Sequence, residues 1–333
     1  MKAAVKSRRA AFADGTFSNL RTQWKSYVDF CREYDVPTLP IRAKVLSVYL
    51  EHLAGRLKSP GAIASYMAGL KTLSILIEAP VDVFSHIHVK LGLKGIRRLK
   101  LHTPKQAKAL SPAIMLAMQK LVDTSKPREL AAWAAISLGF ACFMRKSNLV
   151  PNAASSFDPK RQLCRSDIQV AEDHSCLTVR VKWSKTNNFA SRQILVPVMA
   201  LPGHPLCPVR AYLDALQAVP LDNIRPSDVS AFSIPPIRRT AKHAALSYPM
   251  LTVYLKRWLS LAGYDESLFS THSIRRGGAT AAFDAGVPGE LIQLVGDWSS
   301  PVYQRYLEIS TQRKLAVAGK LKRHFLKLAG VVE

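Results

Sequence analysis

Acidic residues are scarce in this chain. Its 333 residues include 47 Lys and Arg but only 23 Asp and Glu, a formal net charge of +24. A folded protein so poor in compensating acid is suited to a polyanion, and nucleic acid is the first candidate, ahead of a ribosome-associated or merely solubilised surface. Cysteine is sparse as well. The five, at positions 31, 142, 164, 176 and 207, form no C-x-x-C pair. Cys31, Cys142 and Cys207 lie in apolar helical contexts, as buried reduced thiols of an intracellular protein do. Cys164, His174 and Cys176 are close in sequence, but their spacing matches no zinc pattern, so no metal is expected. No apolar run reaches the ~18 residues that would span a bilayer. The basic N-terminus has no apolar stretch of the secretory kind, and Asp14 interrupts a presequence reading. A soluble intracellular protein is expected, nuclear if the host is eukaryotic. Internal repeats and low-complexity tracts are absent too.

Apolar residues are plentiful, at 48 %. That content predicts packed domains, and the length is comfortable for two. The first part reads as helix only. Leu20, Trp24, Tyr27 and Cys31 recur at helical spacing until Asp35-Val36-Pro37 stops them. Val45, Tyr49 and Leu53 mark a second helix. Ser59-Pro60 is a cap followed by proline at the first helical position, and Ile63, Tyr66, Leu70 and Leu73 follow. A fourth helix is expected over 87–99. From Lys90 to Lys108 there are seven basic residues and no acid (Lys90, Lys94, Arg97, Arg98, Lys100, Lys105 and Lys108). They are candidate phosphate contacts, and the segment ends in an extended stretch because Thr103 precedes Pro104. The expected organisation is a helical domain over 16–100, a basic linker over 101–110 and a second domain over 111–333.

Ser111-Pro112 opens that second domain, with helices expected over 113–124 and 127–142. Strand patterns follow. Leu177, Val179, Val181 and Trp183 alternate with polar neighbours, and Ile194, Val196 and Val198 alternate again. A hairpin loop with Asn187-Asn188 near its tip separates them. Helices are expected over 206–218, 248–262, 271–285, 288–295, 300–309 and 311–328. The fold class is therefore mainly α with a small antiparallel β-sheet.

Two strings carry chemistry. In T-H-S-I-R-R-G-G-A-T, residues 271–280, His272 and Arg275 share a helix face. Gly277 and Gly278 each weaken a helix by roughly 1 kcal/mol, which makes sense if the helix packs closely on a neighbour. Further on stands G-D-W-S-S-P-V-Y-Q-R-Y, residues 296–306. His-x-x-Arg, then Gly-x-Trp, then a tyrosine eight residues past the Trp, resembles the catalytic box of the tyrosine recombinases. In that family a second Arg closes an upstream apolar helix, and GFACFMRKSNLVP supplies Arg145. A Lys in a β-hairpin is also required, and WSKTNNF supplies Lys185. The strings MRKSNLVP, WSKTNNF, PLCPVRAY, HSIRRGGATAA and GDWSSPVYQRYL resemble the recombinases of Crypton and DIRS-type mobile elements in particular.

The resemblance implies a two-domain, C-shaped clamp on double-stranded DNA. A helical core-binding domain takes one face of the duplex and a catalytic domain takes the other. It implies site-specific recombination through a 3′-phosphotyrosine, without metal or cofactor. Arg145 and Arg275 would grip the non-bridging oxygens of the attacked phosphate. His272 would donate a hydrogen bond to the same group or help with a proton, and Trp298 would donate to it through its indole N–H. Tyr306 would attack, and Lys185 would protonate the departing 5′-oxygen. Tyr303 is a rival to Tyr306, one helical turn earlier, and Lys182 is a rival to Lys185. Arg276 and Arg305 read as phosphate contacts or surface charges. Where the family usually has an acid, three residues after the first Arg, this chain has Asn148. Assembly as a homotetramer on two duplexes is expected, with the tail helix docking on a neighbouring protomer as one option. Two other functions remain open: a type IB topoisomerase, and a DNA-binding descendant that no longer cuts.

Overall fold

The computed structural model describes residues 10–12, 14–102, 106–184, 194–221, 224–236, 243–307 and 311–328. The chain divides into two compact units, Met1–Lys105 and Gln106–Glu333. Among the described residues helix dominates both, and strands occur only in the second.

The first unit holds α1 (Asp14–Glu33), α2 (Ala43–Arg56), α3 (Pro60–Leu76) and α4 (Ile87–Leu99). Their apolar stripes converge, so Tyr27, Phe30, Leu46, Tyr49, Leu53, Ile63 and Leu70 form one core. Tyr27 and Tyr49 meet edge to face, with centroids 5.2 Å apart, an arrangement that ring quadrupoles favour. The stop read at Asp35-Val36-Pro37 is real. α1 ends at Glu33 and Asp35 turns the chain at φ 49°, a conformation Asp tolerates better than bulkier residues. Ser59 precedes α3 in extended geometry, but its side chain makes no capping hydrogen bond. α4 turns Val89 and Ile96 inward. Lys90, Lys94, Arg97 and Arg98 stay exposed on its other side.

The second unit contains α5 (Pro112–Gln119), α6 (Pro127–Ala141), the single turn α7 (Lys146–Leu149), α8 (Pro208–Ala218), α9 (Tyr248–Leu261), α10 (Thr271–Asp284), α11 (Gly289–Val295) and α12 (Thr311–Leu328). The Ala-rich α6 is buried on nearly every side, as a helix without a polar face must be. The sheet has the order β1 (Ile168–Val170), β2 (Cys176–Val181), β3 (Ile194–Met199) and is antiparallel throughout. Leu177 faces Val198 and Val179 faces Val196, so the alternation seen in the sequence turns these four into the core.

Several boundaries differ from the sequence pattern. β2 ends at Val181 rather than running on to Trp183. β1 and the two-residue pair β4 (Ser233–Ile234) and β5 (Ala244–Ala245) are too short for periodicity to reveal. The helix expected over 113–124 stops at Gln119. The segment 300–309, expected as α-helix, instead forms a 3-10 helix over Pro301–Tyr306, the tighter form that short segments adopt. Residues 106–110, read as linker, form part of the second unit. Lys108 N–H donates to Leu268 O (2.8 Å), Leu110 N–H donates to Ser273 O (3.1 Å), and Ala109 and Leu110 are buried.

Candidate active site

α10 brings the first group of functional side chains together. Ser270 caps it: His272 N–H donates to Ser270 Oγ (3.2 Å), and Ser270 N–H donates to Ser273 Oγ (3.0 Å). This reciprocal pair fixes where the helix starts, and so where His272 and Arg275 project. Gly277 and Gly278 explain the helix's position. A Cβ on Gly277 would run into the Leu110 carbonyl, and one on Gly278 into the Phe140 carbonyl. The close approach inferred from the paired glycines is therefore a backbone contact.

Arg275 is 2 % exposed. Its Nη2 donates to Gly296 O (2.7 Å) and its Nη1 to Phe143 O. Its guanidinium lies 3.7 Å over the Trp298 ring, where the aromatic face favours a cation. Burial, then repulsion from Arg145, pushes its pKa down to about 9, against the pull of Tyr306 and Asp297. It therefore remains a cation at neutral pH. The carbonyls that hold it belong to two unusual turns. Phe143 has φ 49° and Asp297, beside Gly296, has φ 50°. Left-handed backbone at non-glycine residues costs on the order of 1–3 kcal/mol each, and concentrates at functional sites.

Arg145 stands at the start of α7, half-buried, and its Nη2 reaches Asp297 O at 3.5 Å. Burial lowers its pKa, while Asp297 and Tyr306 act in the opposite direction. His272 keeps a solvent-exposed edge. Partial burial, then the guanidiniums of Arg275, Arg276 and Arg145, push its pKa below the usual 6.5. Its ring is thus neutral near pH 7 and has one N–H to donate.

The two tyrosines are distinguished by their surroundings. Tyr306, at the end of the 3-10 helix, is half-buried. Its ring centroid lies 4.8 Å from His272 and 5.2 Å from Trp298, and Arg275 Cζ is 5.6 Å from it. Tyr303 is 9 % exposed and packs with Phe143, Ala279, Ile292 and Trp298, its hydroxyl pressed on Gly289. Buried Trp298 Nε1 and Arg275 Nε have no hydrogen-bond acceptor among the described residues. Four side chains from the sequence motifs, Arg145, His272, Arg275 and Trp298, thus surround Tyr306 with cationic or N–H donors.

Lys185 and the loop 185–193 lie outside the described residues, and so does Lys105. Its rival Lys182 is engaged elsewhere: its Nζ pairs with Asp167 Oδ2 at 2.5 Å, donates to Pro159 O and lies 3.3 Å from Cys164 Sγ. Asn148 is buried and donates to Trp183 O, tying α7 to the chain just beyond β2. Lys108 is exposed. Lys100 donates to Leu57 O (2.9 Å) at the end of α2, which gives it a structural contact. Arg276 departs from the phosphate-contact reading. It is 7 % exposed and its Nη1 donates to Gln106 Oε1 (2.8 Å), so it fastens the segment 106–110 inside the unit. Sequence reasoning overlooked Asp297 and Ser184. Both are buried, and Ser184 Oγ donates to Asp297 Oδ2. The one available signal was the single acid within G-D-W-S-S-P-V-Y-Q-R-Y.

No protein-family model matches the chain. A curated relative, an integrase/recombinase XerD homolog of Selenomonas ruminantium, is 25 % identical over 310 residues, covering 89 % of this chain and 82 % of the relative. Solved structures share the fold at lower identity. The XerH site-specific recombinase, bound to its difH substrate in a pre-cleavage complex, aligns with a TM-score of 0.52 at 16 % identity, over 91 % of this chain and 78 % of that one. A lambda integrase dimer (75–356) bound to a COC′ core site gives 0.52 at 14 % identity, over 89 % of each chain. The Tn1549 transposon integrase in complex with transposon right end DNA gives 0.53 at 12 % identity, over 86 % and 87 %. The architecture, mainly helical with small antiparallel sheets, is the two-domain one of these proteins.

Proposed function

We propose that this chain, a member of the tyrosine recombinase superfamily, is a site-specific DNA recombinase or integrase that cleaves and rejoins DNA through Tyr306. The observation that carries the proposal is the setting of that residue. Its ring lies against His272 and Trp298 with Arg275 nearby, whereas Tyr303 is committed to packing. A scissile phosphate bound there would meet the guanidiniums of Arg145 and Arg275 on its non-bridging oxygens. Neutral His272 and the Trp298 indole N–H would donate to the same oxygens. Tyr306 Oη attacks phosphorus and passes its phenolic proton to the unprotonated nitrogen of His272 or to water, a 3′-phosphotyrosine forms, and the 5′-oxygen leaves with a proton from Lys185. Attack by the freed 5′-hydroxyl of a partner strand reverses these steps. The arginines supply the charge stabilisation that a metal supplies elsewhere.

The wider reading is binding to duplex DNA, with Lys90, Lys94, Arg97 and Arg98 of α4 on phosphates. The partner is a homotetramer on two DNA duplexes. Its support is α12, where Leu321, Phe325 and Leu328 recur at helical spacing and are 53 %, 62 % and 71 % exposed. The finer assignment, to the Crypton or DIRS-type mobile elements, rests on the motif wording alone. The test is a nicked suicide substrate in EDTA. A covalent protein–DNA adduct mapped to Tyr306 is expected, followed by strand exchange between two marked sites. Relaxation of plasmids without exchange would point to a topoisomerase instead, and a mobility shift without adduct would point to a binding protein.

A further inference from the structure

We propose that Asp297 is a positioning residue of this site, the resident anion that holds the Arg145 and Arg275 guanidiniums and the segment beyond β2 at Ser184 in one arrangement. The inference rests on the recombinase reading above. Its first ground is geometry. Asp297 is 6 % exposed and sits in a left-handed turn at φ 50°. Its carboxylate accepts from Ser184 Oγ. Its own carbonyl oxygen takes Arg145 Nη2 at 3.5 Å, and the carbonyl just before it takes Arg275 Nη2 at 2.7 Å. The residue just after it, Trp298, lies under the same guanidinium. The one turn 296–298 thus touches both arginines, and the Asp297 side chain anchors that turn to the segment beyond β2.

The second ground is charge. Two guanidiniums in partly desolvated surroundings repel one another, and burial penalises each. Asp297 is the carboxylate that opposes both effects at both arginines. Asn148, also buried, is a neutral amide committed to Trp183 O. Without a buried negative charge, the arginines would relax apart, and the phosphate would then have to draw them back. Positioning of this kind acts on the cleavage step more than on DNA affinity, because the bulk of affinity comes from many phosphate contacts elsewhere.

The variants are Asp297→Asn and Asp297→Gly in the full chain. Asparagine keeps an acceptor for Ser184 and removes the charge. Glycine removes the whole side chain without straining the left-handed backbone. With the nicked substrate at saturating protein, Asp297→Asn should form adduct on the order of 10- to 100-fold more slowly. Its DNA affinity should stay within about twofold of the parent. Sodium formate should restore adduct formation in Asp297→Gly, and sodium chloride at the same ionic strength should not. A residue with a merely structural role would show no such rescue. A third measurement needs no cleavage. Inorganic sulfate should raise the melting temperature of Asp297→Asn more than that of the parent, since the arginines have lost their own anion. Parental cleavage by Asp297→Asn, no formate effect on Asp297→Gly, or an equal or smaller sulfate shift would each overturn the assignment. If the parent makes no adduct while the sulfate result holds, the recombinase reading fails and the role of Asp297 as resident anion stands.

Discussion

Gly278→Ala adds one methyl group where the structure has no room for it. The built Cβ stands 2.7 Å from Phe143 Cδ1 and 3.0 Å from the Phe140 carbonyl carbon, and closer still to that carbonyl's oxygen. Ordinary carbon contacts lie near ~3.5–4.0 Å. The obstacle is backbone at the end of α6, so no rotamer change relieves it. α10 has to withdraw by roughly 1 Å or more to restore such contacts. Arg275 is on the same helix, less than one turn earlier, and its Nη1 donates to Phe143 O in the very segment being pushed away. Overpacking of this kind destabilises by about 1–3 kcal/mol. For a unit of this size, that is a fall in melting temperature of roughly 2–12 °C. Displacing Arg275 should slow adduct formation far more, on the order of 10²-fold. Gly95→Ala is the matched control. It is also helical, no atom lies within 4 Å of its added Cβ, and the change should be neutral or stabilising by about 0.4–1 kcal/mol. Scanning calorimetry and the suicide-substrate assay read both variants. A Gly278→Ala protein that melts and cleaves like the parent would refute the claim that close backbone approach sets the position of the arginine.

Tyr303→Phe should retain the covalent adduct, because only its hydroxyl on Gly289 is lost, whereas Tyr306→Phe should form none; the opposite pattern on a denaturing gel transfers the nucleophile to Tyr303. Lys185→Ala should cleave ordinary DNA slower by a factor of roughly 10² and recover on DNA with a bridging 5′-phosphorothiolate, since a thiol with a pKa of about 8.5 leaves without proton donation. Arg145→Ala should not recover on that substrate, because sulfur does not alter the charge on the non-bridging oxygens; recovery by Lys182→Ala in place of Lys185→Ala would make Lys182 the acid. The logarithm of DNA affinity should fall with log salt at a slope steeper than about −5, and Arg97→Ala with Arg98→Ala should weaken binding to all sequences alike. A flat salt response, or a loss confined to one sequence, would count against phosphate contact by α4.

The helices were legible because their signals are local and repeated. Tyr27, Tyr49, Ile63 and Leu70 mark inward faces at helical spacing, and they are the residues that meet in the first core. The three-stranded sheet was legible in two strands out of three, where Leu177, Val179, Val196 and Val198 alternate. β1 and the β4–β5 pair were not, because two or three residues carry no period. Arg275, His272, Trp298 and Tyr306 could be named as a set from motif spacing, and they do converge. Arg276 looked identical to a phosphate ligand in sequence. Only the fold reveals Gln106 beside it, 170 residues away. Asp297 was equally hidden, since its importance comes from Ser184, Arg145 and Arg275, which belong to three distant segments.

The site also explains why the sequence tolerates features that ordinary packing would remove. Arg275 holds together α10, the turn after α6 and the turn after α11 through Phe143 O, Gly296 O and the Trp298 face. A planar guanidinium can do this because its donors point in fixed, divergent directions, whereas a lysine presents a single point charge. The arrangement is costly for stability. A cation is buried beside a second cation, its pKa pushed down to about 9, and two non-glycine residues sit in left-handed backbone. Buried charges that are not fully paired rarely stabilise a fold. When strain and unpaired charge meet at one point while the surrounding helices obey local rules, the conflict marks function. Among the described residues the conflict has a sign: two guanidiniums face the single carboxylate of Asp297. On the recombinase reading proposed above, an anion with several oxygens would add to the charge that Asp297 already supplies to both arginines. A backbone phosphate is such an anion, and on that proposed reading the strain belongs to the binding site rather than being a defect in the packing.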